Sequence, residues 1–67
     1  MKILVNDAWQ ILEEPSTLQN LIQSLELAEK AGIAVAVNES VVTRSHWPDC
    51  GLHESDRVTI IQATQGG

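Results

Sequence analysis

One segment of the chain has helical periodicity, and every other patterned segment is short and β-rich. In "STLQNLIQSLELAEKAG", residues 16–32, Leu18, Leu21, Ile22, Leu25 and Ala28 recur at the spacing of one helix face. A single amphipathic helix has one apolar stripe, and that stripe covers one face of a sheet. The rest of the chain must therefore form a sheet with one covered face, and this excludes most alternatives.

The helix is predicted over about 17–31. Ser16 serves as its N-cap, and Gln19, three residues on, completes a capping box behind Pro15. Glu26 and Lys30 stand four apart in the favourable order, and Gly32 suits the left-handed position after the last turn. Leu27 lies off the stripe and is expected to be exposed.

Five strands are expected around this helix. "KILV" at 2–5 places Ile3 and Val5 on one face and Leu4 on the other. Asn6-Asp7 is a turn signal, and "WQIL" at 9–12 resumes extended structure, so the two runs suggest a hairpin. "IAVAVN" at 33–38 is a short apolar run bounded by Gly32 and Asn38, and reads as a buried strand. "VVT" at 41–43 reads as an edge strand. Residues 44–56 are expected to be irregular, with Pro48 and Gly51 as breakers. "RVTIIQAT" at 57–64 is the last strand.

The order β-β-α-β-β-β, with the first and last strands parallel at the centre, is a β-grasp. The expected class is α+β, a mixed sheet of four to five strands on one helix. Residues 1–64 form the domain and 65–67 a flexible tail. The second alternating set, Leu4, Ala34, Ala36 and Ile61, has no cover within the chain and is a candidate docking surface, with Arg57 at the start of the last strand as its charged member. The plainer reading is ordinary one-sided exposure.

Sixty-seven residues bury only about 60% of the surface of the unfolded chain. A domain this small has little room for a deep pocket of its own, so a carrier, binding or regulatory module is favoured over an enzyme. Four basic residues, Lys2, Lys30, Arg44 and Arg57, are scattered among nine acidic ones, giving a net charge of −5. Nucleic-acid binding needs a concentrated cationic surface and is set aside; an acidic field would draw a basic partner. Neither a signal-peptide core nor a membrane span is visible, and the single Cys50 forms no internal disulfide, so a cytoplasmic protein is expected.

His46, Cys50 and His53 share one loop, with Asp49 or Glu54 as the only further ligands, but their spacing fits no established zinc pattern. No metal site is expected. Cysteine–histidine catalysis would also need an orienting group, an oxyanion hole and a pocket. Glu13 and Glu14 are adjacent, so on a strand they point to opposite faces and form no acid/base pair. Trp9 and Trp47 are expected to close the open ends of the core rather than to anchor a partner.

The chain ends "IIQATQGG". Gly66 and Gly67 lack Cβ atoms and permit close backbone approach. The terminal carboxylate is a poor electrophile until a partner activates it, for instance as an acyl-adenylate.

Taken together, "MKILVN", "VAVNESVVTRSHW" and "LHESDRVTIIQATQGG" resemble the ThiS family of sulfur carriers in thiamine biosynthesis, which are ubiquitin-like β-grasp proteins. Asn38, Val42, Arg44 and Trp47 stand where that family's pattern has them. Ser55 departs from it, since a glycine usually precedes Asp56, and a positive φ there would strain a serine. The proline-containing "HWPDCG" is also unusual.

The resemblance implies that an E1-like adenylating enzyme uses ATP and Mg to activate Gly67. Sulfur from a persulfide donor then leaves a thiocarboxylate, which is delivered to thiazole synthase. Gln65 and Gly66 would carry Gly67 into the partner's active site. On this view the chain binds no cofactor and does not catalyse by itself, and Cys50 need not carry sulfur. The small subunit of molybdopterin synthase is the nearest alternative, but its Phe-Phe-Pro-Pro-like segment has no counterpart here. A non-carrier β-grasp module and a ubiquitin-like modifier are the others.

Overall fold

The computed structural model describes residues 1–62. Strands β1 (Lys2–Val5), β2 (Ala8–Ile11), β3 (Ile33–Val37), β4 (Ser40–Val42) and β5 (Arg57–Gln62) form one sheet in the order β2-β1-β5-β3-β4. β1 and β5 are parallel, and the other neighbours are antiparallel. The architecture is the expected β-grasp, with β1, β5 and β3 in the interior and β2 and β4 at the edges. Residues 63 and 64 of the expected last strand lie outside the described residues.

Two tight hairpins fix the register. Val5 pairs with Ala8 across Asn6-Asp7, and Val37 with Ser40 across Asn38-Glu39. All four turn residues have positive φ, between 48° and 72°. That is the mirror-image turn whose twist matches the flanking strands, and asparagine and aspartate tolerate it better than most residues.

Helix α1 (Leu18–Ser24) is shorter than expected at both ends. Its N-cap is Thr17, one residue after the predicted Ser16. Thr17 Oγ1 accepts from the Asn20 N–H at 3.2 Å, and Asn20 Oδ1 accepts from the Thr17 N–H at 2.9 Å. The capping box therefore uses Asn20, not Gln19. Ser16 is drawn out of the role because its carbonyl accepts from the Leu52 N–H at 2.9 Å, while the Leu18 N–H donates to Cys50 at 2.8 Å. These bonds join the helix start to a segment more than thirty residues away.

At the other end, Leu25 is the C-cap and Glu26 has φ 61°. The Glu26 N–H donates to Gln23 and the Leu27 N–H to Ile22, at 2.9 and 3.1 Å. This is a Schellman closure with glutamate where glycine is usual. Gly32, expected to end the helix, has φ 76° and instead leads into β3. The Glu26–Lys30 helical pair does not form. Leu27 is also corrected: it is half-buried against the core, because this closure turns the chain back there through its N–H bond to the Ile22 carbonyl.

Residues 44–56 are more ordered than expected. Arg44–Asp49 form a 3-10 helix that includes Pro48. Arg44 stacks on Trp47 with 4.7 Å from guanidinium carbon to ring centre. Its guanidinium donates to Ala28 and to Lys30, the latter at 2.7 Å, and so ties down the segment that follows the short helix. Ser55 has φ 69°, the left-handed conformation that the family-like turn predicted.

The core is Ile3, Val5, Val35 and Val58 from the sheet, Leu18, Leu21 and Ile22 from α1, and Trp47 and Leu52 from the connecting segment. Trp47 closes one end as expected, and its Nε1–H donates to Val42 at 3.0 Å. Among the described residues, no helix is long and apolar enough to cross a membrane.

Candidate functional site

Strand alternation sends Ile3, Val5, Val35 and Val58 under the helix, so their neighbours must face the other way. Register then assembles that second face. Leu4 lies opposite Trp9 on one side and beside Arg57 on the other. Lys2 lies opposite Ile11, Ala34 opposite Ile61, and Ala36 between Thr59 and Val41. The five docking candidates, Leu4, Ala34, Ala36, Ile61 and Arg57, therefore share one surface.

This surface is open. Ile61 is 62% exposed, and Ala34 and Arg57 are also exposed, while Leu4 and Ala36 are half-buried between their strand neighbours. Trp9 departs from expectation. It is 53% exposed on this face, because the two-residue hairpin places it beside Leu4 and away from α1. Ile11 and Val41, at 77% and 76% exposure, extend the surface onto both edge strands. Sequence reasoning missed these three, although the Asn6-Asp7 turn, read as a strict two-residue loop, would have paired Leu4 with Trp9 and shown the face they share.

The charge distribution across the molecule is uneven. None of the five strands contains an aspartate or glutamate. Among the described residues, the charged strand residues are Lys2 and Arg57, and both belong to the open face. Lys2 Nζ lies 4.8 Å from the centre of the Trp9 ring, a cation–π contact. The nine carboxylates are in turns, in loops and around the helix. A chain of net charge −5 thus presents an apolar surface bearing two cations.

The loop candidates do not assemble into a reactive centre. His46 Nδ1 is hydrogen-bonded to Thr43 Oγ1 at 2.8 Å, and His53 Nδ1 is 3.7 Å from Asp56. Among the described residues, no group of three His, Cys, Asp or Glu is placed to hold a metal ion. Cys50 caps the 3-10 helix and is partly buried. Burial, with a smaller contribution from the Asp56 carboxylate, pushes its thiol pKa up, which disfavours the nucleophilic thiolate. Glu13 and Glu14 lie beyond the end of β2, both exposed. Gln65, Gly66 and Gly67, the tail candidates, lie outside the described residues.

The sequence profile of the ThiS family matches residues 2–67. The sulfur carrier protein ThiS of Escherichia coli (strain K12) is 30% identical over 67 residues, with the whole of both chains covered. The crystal structure of a thiamine biosynthesis protein (ThiS) from Geobacter metallireducens superposes with a TM-score of 0.83 at 22% identity, over the full length of both chains. A solution structure of a thiamine biosynthesis protein from the same organism gives 0.80 at 22% identity, over all of this chain and 88% of the other. The two structures speak for the fold, while the profile and the Escherichia coli relative carry the family. An open sheet face on a β-grasp body, matched from end to end in sequence, makes this chain a member of the ThiS family, the sulfur carriers of thiamine biosynthesis.

Proposed function

We propose that the carboxylate of Gly67 is the working group and that enzymes elsewhere perform the chemistry on it. An E1-like enzyme with Mg-ATP joins the carboxylate to AMP and releases pyrophosphate. The terminal sulfur of a persulfide attacks the activated carbonyl and expels AMP, forming an acyl disulfide. A thiol then takes the inner sulfur into a new disulfide and frees the thiocarboxylate. Thiazole synthase receives that sulfur. ATP and Mg belong to the activating enzyme; this chain holds no cofactor. On this reading the protein works in the cytoplasm, where ATP and the activating enzyme are expected.

The observation that carries this reading is the family match along the whole chain, which includes the Gly66-Gly67 end. The open face gives it a physical basis. Leu4, Ala34, Ala36 and Ile61, with Trp9 beside them, offer an apolar docking surface, and Lys2 and Arg57 favour a partner with carboxylates opposite them. Gln65 and Gly66 then carry Gly67 into the partner's active site.

The test is an intact mass after incubation with the cognate activating enzyme, Mg-ATP and a sulfur donor. One oxygen is replaced by sulfur, and fragmentation assigns the change to Gly67. No exchange with a demonstrably active enzyme overturns the reading. Deleting Gly67 abolishes the exchange and leaves the fold intact.

A further inference from the structure

The strand that leads towards the C-terminus is held at two points by side chains, and both belong to turn asparagines. Asn38, at φ 50°, holds the beginning of β5. Its N–H donates to the Arg57 carbonyl at 2.7 Å, its Oδ1 accepts from the Arg57 N–H at 3.0 Å, and its Nδ2 donates to Asp56 Oδ1 at 3.0 Å. Asn6, at φ 48°, holds the strand further along. Its Oδ1 accepts from the Ile60 N–H at 2.8 Å, and its Nδ2 donates to the Ile60 carbonyl at 3.2 Å.

The Asn6 contact replaces a missing strand. β1 runs parallel to β5 only as far as Val5, and the last backbone bond between them is from the Asn6 N–H to Val58 at 3.0 Å. There the chain turns away into β2. Beyond that point the side of β5 facing β1 has lost its neighbour. The Asn6 amide supplies one acceptor and one donor to the same residue, as a neighbouring strand would.

We propose that Asn6 is a positioning residue for the terminal carboxylate. By clasping Ile60 it fixes the direction of β5 close to Gln62, the last described residue. The proposal rests on the sulfur-carrier reading above. A partner that docks on the open face and also receives the terminus must find both at a set separation. The five pairings with β3 keep the register of β5 and the face of Ile61, so loss of the clasp loosens the strand only on its β1 side and lets its end shift. In-line attack requires reacting atoms roughly 3–3.5 Å apart, so displacement on that scale removes the carboxylate from reach. Docking uses other residues, so loss of the clasp lowers turnover and leaves docking unchanged.

The experiment uses the full chain with its activating enzyme and Mg-ATP, following pyrophosphate release, together with amide hydrogen exchange on the carrier alone. Asn6→Gly keeps a turn that accepts positive φ and removes the amide. Asn6→Asp keeps the acceptor for the Ile60 N–H and loses the donor. Asn38→Gly is the control, because it releases the far end of β5. In Asn6→Gly, exchange at Ile60 accelerates about tenfold or more, kcat falls about tenfold, and KM for the carrier stays within about twofold. Asn6→Asp lies between this variant and the unmodified chain. Asn38→Gly lowers the unfolding midpoint and leaves kcat of the folded fraction unchanged.

Unaltered exchange at Ile60 in Asn6→Gly rejects the clasp, whether or not the unmodified chain is adenylated. Faster exchange with unchanged kcat, or an effect on KM alone, rejects the positioning role. Failure of the unmodified chain to be adenylated counts instead against the sulfur-carrier reading.

Discussion

The two faces of the sheet each carry one tryptophan, and the two have opposite environments. Trp47 is 1% exposed, sealed among the core side chains, with its indole N–H bonded to Val42. Trp9 is more than half exposed beside Leu4, with Lys2 over its ring. The faces they belong to are built from alternate residues of the same strands: Ile3, Val5, Val35 and Val58 on one side, Leu4, Ala34, Ala36 and Ile61 on the other. Both sets are apolar. One is covered because the chain has one helix and a 3-10 turn to lay over it, and the other is open because nothing in residues 1–62 reaches it. An apolar residue in a strand therefore says that a face avoids charge. It does not say what covers that face.

The largest test of this contrast compares the tryptophans directly. Trp47→Ala opens a cavity and leaves the Val42 carbonyl without its partner, at about 3–5 kcal/mol. That approaches the whole stability of a chain this size, about 3–10 kcal/mol, so denaturant titration should find the variant largely unfolded or close to it. Trp9→Ala should change stability by less than about 1 kcal/mol while weakening binding to the activating enzyme by about tenfold or more. If calorimetry and binding give the two variants the same profile, the distinction between the faces fails.

A smaller change probes the open face at its alanine row. Ala36→Asp places a carboxylate on a sheet that has none, and should weaken partner affinity by about tenfold with stability altered by about 1 kcal/mol at most. Unchanged affinity would remove Ala36 from the docking surface.

The smallest effect concerns the margin of the covered side. The Cys50 thiol has a pKa raised above its ordinary value, so the folded state holds its proton more tightly than the unfolded chain does. The associated stabilisation is complete below the ordinary thiol pKa and is lost as pH rises through the raised one. Cys50→Ala should flatten that alkaline decline in a pH series of unfolding midpoints. The same variant should keep full sulfur loading, and loss of loading in a folded Cys50→Ala protein would return the thiol to consideration.

Much of this architecture is legible along the chain because it depends on local periodicity. Strand alternation and one helical stripe yield the β-grasp, the core of Ile3, Val5, Leu18, Leu21 and Ile22, and the grouping of Leu4, Ala34, Ala36 and Ile61. The errors fall where distant backbone intervenes or where a local closure forms without its usual residue signal. Ser16 has the right chemistry for an N-cap, but its carbonyl is taken by Leu52, and the helix starts one residue later. Glu26 lacks the glycine signal of a helix end, yet the Schellman bonds close there and bring Leu27 inward. Pro48 reads as a breaker, but its missing N–H and fixed φ fit a 3-10 turn that delivers Trp47 to the core.

What the sequence determined alone was which residues alternate, where the turns fall and how many faces one helix can cover. Those follow from side-chain spacing and backbone sterics within a few residues. Only the tertiary structure decided which tryptophan was buried, how short the helix became, and that Asn6 reaches Ile60, fifty-four residues away, to hold β5. Those outcomes depend on hydrogen-bonding groups that meet only when the chain closes, because every polar backbone group taken from water must find a partner wherever one is presented.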